Sequence, residues 1–104
     1  MIRAAFTMKL KPGFEAEYKK RHDKIWPELS KELTAAGVLD YSIFLNEATL
    51  TLFAVQKLTD THSSDELPQQ QIVKKWWDYM ADIMEVNADN SPMVTPLKEV
   101  FYMP

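Results

Sequence analysis

The sequence predicts an α+β fold in which strands and helices follow one another in the order β-α-β-β-α-β. In four segments apolar residues alternate along the chain, as is typical of strands that pack through one face. In two other segments apolar residues recur every three or four positions, which is the period of an amphipathic helix. This order is that of the split βαβ, or ferredoxin-like, arrangement, in which two helices cover one face of a four-stranded antiparallel sheet. The 104 residues have the size of one domain, so we expect a single domain over residues 1–104.

The first half of the chain contains the first strand and a long helix. A strand is predicted over residues 2–10, where alternate side chains are apolar. A helix is predicted over residues 14–36, and Gly37 stands where helices commonly end in a left-handed conformation. Pro27 falls inside this helix and has no backbone N–H to donate. We therefore expect the helix to kink or to restart at Pro27.

The second half of the chain contains a hairpin, a helix and a last strand. Strands predicted over residues 38–45 and 50–57 are close enough in sequence to form an antiparallel hairpin. The polar segment 58–70 is predicted to be a loop with room for one helical turn, and a second helix is predicted over residues 71–84. A fourth strand is predicted over residues 97–103. Some strands are apolar on both faces, which predicts a partner sheet from a second copy in a two-fold homodimer.

The composition argues against several classes of protein. The net charge of −3 and the isoelectric point near 5.3 speak against binding to nucleic acid, which usually relies on a basic patch. The chain has no cysteine, which rules out disulfides and cysteine metal sites and suits a reducing compartment. The first ten residues alternate instead of forming the apolar block of a signal peptide. No apolar run approaches the ~20 residues that cross a bilayer, so we expect a cytoplasmic protein with no membrane partner.

A histidine occupies a position where the helical pattern calls for an apolar side chain. The inward stripe of the predicted first helix consists of Phe14, Tyr18, His22, Ile25, Leu29 and Leu33. An imidazole on that face must find a hydrogen-bond partner or take part in chemistry. The pattern leaves two interpretations of His22 open, a core histidine bonded to a backbone carbonyl or a proton-transfer residue. The other histidine, His62, lies in the polar loop, where we expect it to be exposed and not to share a metal site with His22.

Five short motifs occur along the chain in an order and at spacings that are specific when taken together. They are Tyr18 with Lys-Arg-His-Asp-Lys-Ile-Trp-Pro-Glu-Leu over residues 20–29, Tyr41, Trp-Trp-Asp-Tyr-Met over residues 76–80, Asn-Ala-Asp-Asn-Ser-Pro over residues 87–92, and Glu-Val-Phe-Tyr-Met-Pro over residues 99–104. With these motifs the sequence resembles the L-rhamnose mutarotase family over nearly the whole chain.

The resemblance implies a fold, an activity and a set of site residues. Members of that family are dimeric α+β barrels of ferredoxin-like protomers, and they interconvert the α and β anomers of L-rhamnose without metal or cofactor. The family's catalytic proton donor falls on His22, and its sugar-contacting residues fall on Tyr18, Tyr41, Trp76 and Trp77. Residues 59–70 depart from the family, because a helical segment with a tryptophan is expected there and the chain is rich in Ser, Asp and Gln. That departure bears on the rim of the pocket and on sugar preference.

The chemistry of mutarotation suits these residue types. Ring opening gives a proton to the ring oxygen and removes one from the anomeric hydroxyl, so a general acid and a general base are sufficient. An imidazole, with a reference pKa of ~6.5, can serve near neutral pH. The base is either a tyrosine or His22 itself acting through water. Aromatic side chains give flat apolar area for the C–H faces of a sugar and for the methyl group of a 6-deoxy sugar.

Alternatives remain for single residues and for the whole protein. Trp76 and Trp77 diverge by ~100° on a helix, so at least one of them is as well explained by core packing. Tyr41 also fits a plain strand position in the core, and the amides of residues 87–92 are candidates for bonding sugar hydroxyls. Dimeric ferredoxin-like barrels also include cofactor-free monooxygenases and haem-dependent enzymes, and a non-catalytic sugar-binding domain is the third possibility.

Overall fold

The chain folds into an antiparallel sheet whose helices pack on one face. The computed structural model describes residues 1–104. Its strands are β1 (Ile2–Lys9), β2 (Val38–Asn46), β3 (Thr51–Leu58) and β4 (Thr95–Leu97), and its helices are α1 (Glu15–Asp23), α2 (Pro27–Ala35) and α3 (Gln71–Met80), with a 3₁₀ helix over Ser64–Gln69. The strands lie in the order β2-β3-β1-β4, and all neighbours are antiparallel. The predicted ferredoxin-like α+β fold is confirmed. None of the three α-helices is long and apolar enough to cross a membrane.

The predicted first helix consists of two helices separated at the proline. α1 ends at Asp23, and α2 begins at Pro27, which occupies a first-turn position where its missing N–H costs nothing. Trp26 before it is extended, with φ −63° and ψ 129°, because the proline ring disfavours a helical conformation in the preceding residue. The helix therefore restarts at Pro27, which is one of the two outcomes expected from the sequence.

The second predicted helix is shorter in the structure, although its apolar stripe continues. α3 ends at Met80, four residues before the predicted end, and the Ile83 N–H then bonds the Met80 carbonyl at 3.1 Å. Ile83 is fully buried, and Met84 forms an isolated bridge with Leu10 next to β1. A turn carries these side chains into the core, so their apolar character is explained without a helix.

The predicted fourth strand over residues 97–103 is wrong for most of its length. β4 is only three residues long and pairs with the middle of β1, and the chain after it forms no ladder. Its side chains hold it instead, because the Arg3 guanidinium donates two hydrogen bonds to the Glu99 carboxylate, at 2.8 and 3.0 Å. Val100 is 90% exposed and Phe101 is 77% exposed. The apolar side chains of this segment, such as Val100 and Phe101, are not buried by any other part of this chain.

The register of the strands divides the sheet into a covered face and an open face. The core cluster on the helix side consists of Met8, Leu10, Tyr18, Leu29, Leu52, Ala54, Val73, Trp76, Met80, Ile83 and Met84. On the other face Phe44 pairs with Phe53, next to Val55 on β3, and all three side chains are exposed. A single chain therefore leaves an apolar sheet face without cover, as the sequence predicts.

Candidate active site

A cavity of about 1010 Å³ opens between the helices and the covered face of the sheet. Its volume lies near the upper end of the ~300–1,000 Å³ range that is typical of small-molecule sites. All five site residues expected from the sequence border it, namely Tyr18, His22, Tyr41, Trp76 and Trp77. No residue of the segment 59–70 borders it. The departure of that segment from the family pattern therefore does not alter the cavity wall of this chain.

His22 is half-buried and makes one hydrogen bond and two ring contacts. Its Nδ1 lies 3.0 Å from the carbonyl oxygen of Tyr18, one helical turn earlier. Its ring stacks on the Tyr18 ring with the centroids 4.2 Å apart, and Trp76 meets it edge-on at 5.4 Å. His22 thus has the backbone hydrogen bond of the first interpretation that the sequence left open, and it also borders the cavity, as the second interpretation, proton transfer, requires.

The hydrogen bond to Tyr18 decides which ring nitrogen of His22 carries a proton. A carbonyl oxygen can only accept a hydrogen bond, so Nδ1 must be the donor. Burial lowers the pKa of His22 below its usual range, against smaller raising effects from that hydrogen bond and from Asp23. At neutral pH the imidazole is therefore uncharged, and Nε2 has a free lone pair.

Tyr18 and Tyr41 bring two phenols to the cavity. Tyr18 is 8% exposed, and burial raises its pKa, with a further contribution from Tyr41. Tyr41 is 39% exposed because it borders the open cavity, yet the protein atoms around it raise its pKa to about 12. Both phenols keep their protons at neutral pH and can therefore donate hydrogen bonds. Neither is suited to be a resting-state base.

A β-bulge gives Tyr41 its position. The pairing of β2 with β3 shifts between Leu39 and Ser42, and Asp40 within this irregularity has a φ of 46°. Bulges bend a strand and redirect its side chains, and they are common beside functional sites. Tyr41 then borders the same cavity as Ile43, two residues later on β2. The sequence predicts the shared face of these two residues and does not predict the bulge.

Trp76 and Trp77 occupy different depths of the wall. Trp76 is 9% exposed and belongs to the core cluster, whereas Trp77 is half-buried and packs against the edge of that cluster. This difference follows from the angle between adjacent residues on a helix. Both side chains nevertheless border the cavity. Core packing and a place in the site wall are therefore not exclusive for Trp76.

Two aromatic residues that sequence reasoning did not place in the site support it from behind. Trp26 meets Trp76 edge-on at 5.0 Å, and Tyr79 stacks on Trp26 at 5.4 Å. Tyr79 follows Trp76 by three residues on α3, which is the spacing of neighbours along a helix and a signal in the sequence that could have identified it. Trp26 lies in the extended link between α1 and α2, so helical spacing does not account for its place.

The loop over residues 87–92 contributes one amide to the cavity edge. Asn90 borders the cavity, has a φ of 68°, and donates from Nδ2 to an Asp78 carboxylate oxygen at 3.0 Å. Asn87 instead bonds Ser91 and the Pro92 carbonyl within its own loop. Of the two asparagines that are candidates for bonding sugar hydroxyls, only Asn90 borders the cavity.

The second histidine lies outside the cavity, and its expected exposure is wrong. His62 is half-buried, and its Nδ1 lies 3.3 Å from the Ser64 amide nitrogen and 2.9 Å from the Ser64 hydroxyl oxygen. It packs close to Gly37, because the preceding polar loop folds back on the end of α2. The polar sequence around His62 does not indicate its contact with Gly37, because that contact depends on the path of the chain in space.

Comparisons with known proteins agree with this arrangement. A family model described as L-rhamnose mutarotase matches residues 3–103. The L-rhamnose mutarotases of Phocaeicola vulgatus and Bacteroides thetaiotaomicron are 60% and 59% identical to this chain, over 99% of this chain and of each relative. The crystal structure of L-rhamnose mutarotase from Formosa agariphila matches with a TM-score of 0.94 and 55% identity, over the whole of both chains. The chain therefore belongs to the L-rhamnose mutarotase family.

Proposed function

We propose that this protein is an isomerase, a mutarotase that interconverts the α and β anomers of L-rhamnose. Its relatives are named for that activity and match it over nearly their full length. The observation that supports the activity best is an uncharged imidazole, His22, at a cavity walled by tyrosine and tryptophan. The reaction moves protons and breaks one C–O bond, with no gain or loss of electrons. It needs no redox cofactor.

His22 is the proposed catalytic residue, acting first as a base and then as an acid. Nε2 takes the proton from the anomeric hydroxyl while the bond between C1 and the ring oxygen breaks, which leaves an aldehyde at C1. The imidazolium returns that proton to the ring oxygen. Both oxygens are bonded to C1 in the closed ring, so one nitrogen can serve both directly or through one water. Rotation about C1–C2 and the reverse sequence close the ring to the other anomer.

The aromatic wall is proposed to bind and orient the sugar. The phenols of Tyr18 and Tyr41 keep their protons and donate hydrogen bonds to sugar oxygens. The rings of Trp76 and Trp77 offer apolar area to the C–H faces and the C6 methyl group. This division leaves His22 as the only group of the five that changes its protonation state near neutral pH.

The test is an exchange experiment that detects both anomers at once. We expect saturation of the α anomeric proton of L-rhamnose to reduce the β signal only when the native protein is present. The variant His22→Asn keeps a side chain of similar polarity and has no titratable nitrogen, so exchange should fall by ~10²- to 10⁴-fold. Circular dichroism of the same sample checks that the fold is retained.

The second histidine provides a matched control for this experiment. His62→Asn makes the same substitution away from the cavity and should keep nearly the full exchange rate. Equal exchange in His22→Asn and native protein would contradict the catalytic role of His22. Sugar binding by the native protein without exchange would identify a non-catalytic binding domain. Haem in the purified protein would favour the haem-dependent alternative.

We further propose that the functional unit is a homodimer of single-domain chains formed through the open sheet face. The apolar side chains of Phe44, Phe53 and Val55 are exposed there, and a monomer rarely exposes a contiguous apolar face of this kind. An identical face on a second chain covers it with two-fold symmetry. The cytoplasmic location expected from the cysteine-free sequence stays a prediction.

A further inference from the structure

An arginine next to the proposed catalytic histidine connects two helices. The Arg21 guanidinium donates from Nη1 to the Tyr79 carbonyl at 2.7 Å and forms two hydrogen bonds with the Asp82 carboxylate, at 2.9 and 3.2 Å. Its Nε donates to Glu17 on α1 at 2.8 Å. The Arg21 side chain is only 11% exposed, and it lowers the pKa of Asp82. Three of these donor–acceptor pairs connect α1 to the carboxyl end of α3 and to Asp82 just beyond it, and the fourth lies within α1.

The same guanidinium is one end of a continuous chain of ring contacts. It lies 4.5 Å above the centroid of the Tyr79 ring, which stacks on Trp26. Trp26 meets Trp76 edge-on, and Trp76 meets His22 edge-on. The position of the imidazole relative to the aromatic wall is thus connected to Arg21 by direct contacts along the whole path.

α1 has few other polar attachments to the rest of the fold. Its remaining side-chain hydrogen bonds stay within the helix or reach only the preceding turn, as in Lys19 to Asp23 and Gly13 to Glu15. Tyr18 is its one buried residue. Among the side chains of α1, Arg21 alone forms hydrogen bonds with another helix or with the segment that follows it. The placement of α1 against α3 therefore depends strongly on this residue.

We propose that Arg21 is a positioning residue for the mutarotase reaction. It holds His22 at a fixed distance from Trp76, and therefore at the distance from a sugar bound against Trp76 that proton transfer requires. The inference rests on the proposed function, and it assigns Arg21 no contact with the sugar. An arginine suits the role because its planar fork can bond a carbonyl and a carboxylate at the same time, which a lysine ammonium does less well. Displacements of about 1 Å at a reacting group commonly reduce rates by ~10²-fold.

The test separates turnover from sugar binding. Exchange rates measured over a series of L-rhamnose concentrations give kcat and KM for the native protein and for Arg21→Met, Arg21→Lys and Asp82→Asn. We expect Arg21→Met to lower kcat by about 10-fold or more while KM changes by less than about threefold. Arg21→Lys restores part of kcat, and Asp82→Asn, which keeps the bonds to Tyr79 and Glu17, has a smaller effect than Arg21→Met. Thermal unfolding of each variant establishes that it is folded at the assay temperature.

Lys20→Met is the matched control, because Lys20 is an exposed residue of α1 without a side-chain partner and its loss also removes one positive charge. It should keep native kcat. The positioning role is supported if Arg21→Met loses kcat, Arg21→Lys recovers part of it, and Lys20→Met keeps the kcat of the native protein. Native kcat in a folded Arg21→Met overturns it and leaves the proposed function intact. A native protein that exchanges no anomers overturns the proposed function itself, before any variant is compared.

Discussion

At the scale of single residues, burial of His22 sets the pH dependence of the proposed reaction. Burial lowers its pKa below the ordinary value of 6.5, and only the neutral ring has a lone pair on Nε2. We expect the exchange rate to rise as the pH increases through that lowered pKa and then to stay level to about pH 9. No fall is expected there, because the pKa of Tyr41 is raised to about 12. A pH profile of kcat/KM tests this, and an increase on acidification would contradict it.

The same protonation state affects the stability of the fold. Since the pKa of His22 is lower in the folded chain than in the unfolded one, the unfolded chain binds more protons between these two values. The contribution of neutral His22 is therefore fully present above about pH 6.5 and is lost as the pH falls through the folded-state pKa. Urea unfolding at several pH values gives the dependence of the free energy of unfolding on pH, and His22→Asn should lose the part of that dependence that comes from His22. The same pH dependence in His22→Asn and in native protein would argue against the burial effect.

The site residues also show what the sequence can reveal and what it cannot. The helical stripe predicts the inward positions of Tyr18 and His22, and the resemblance to the family adds their site roles. It also adds Tyr41, Trp76 and Trp77 to the expected set, and all five residues border the cavity. The hydrogen bonds of Arg21 to Tyr79 and Asp82 could not be predicted, because these two partners lie at the end of α3 and just beyond it. Its acceptors include a backbone carbonyl, which every residue type offers alike.

At the scale of elements, local sequence patterns predict that a helix or strand is present better than they predict where it ends. The period of β1 and the proline at the start of α2 are local features, so both were predicted close to their observed bounds. The end of α3 and the length of β4 depend on which partners the chain meets. Leu97 ends β4 where the ladder to β1 stops, although the alternation of residue types continues beyond it. The spacing of apolar residues indicates which side chains are to be buried, and it does not specify whether a strand or a turn buries them.

The turn between α2 and β2 leads to a prediction about stability. Gly37 has a φ of 89°, and a Cβ added there would collide with the Thr59 hydroxyl and lie 3.0 Å from the His62 Cβ. Its carbonyl also accepts a hydrogen bond from the Thr59 N–H at 2.9 Å, so this turn cannot easily shift. Gly37→Ala should lower the free energy of unfolding by about 2–4 kcal/mol, from left-handed strain and overpacking together. Chemical denaturation measures this change.

Gly13 is the natural control for that measurement. Its φ of 87° is nearly the same as that of Gly37, but an added Cβ would have no neighbour within 4 Å. Gly13→Ala therefore isolates the backbone strain, which we expect to cost about 1–2 kcal/mol. The difference between the two variants is the cost of the steric contact. Equal losses in both would mean that the loop at Thr59 moves away from the new methyl group.

At the scale of the whole molecule, the two faces of the sheet have separate roles. The covered face, with the helices, forms the cavity and supplies all five proposed site residues from one chain. The open face carries exposed aromatic and aliphatic side chains, including Phe44 at 63% exposure. The tail after β4 adds further exposed apolar residues, among them Val100 and Phe101. Burial of these surfaces against a second chain would remove apolar area from water, which contributes a favourable free energy of about 25 cal/mol for each Å².

The homodimer can be tested through Phe44, which pairs across the strands with Phe53. Native protein should elute with a light-scattering mass near twice the 12.1 kDa of one chain. Phe44→Arg places a charge at the proposed two-fold interface, where it must lose its water without a partner, so we expect monomers at micromolar concentration. Because Phe44 is exposed in a single chain, its replacement should leave the fold intact. Thr61→Arg adds the same charge on an exposed loop and should remain dimeric. A native protein of one-chain mass would exclude the dimer, and a dimeric Phe44→Arg would place its interface elsewhere.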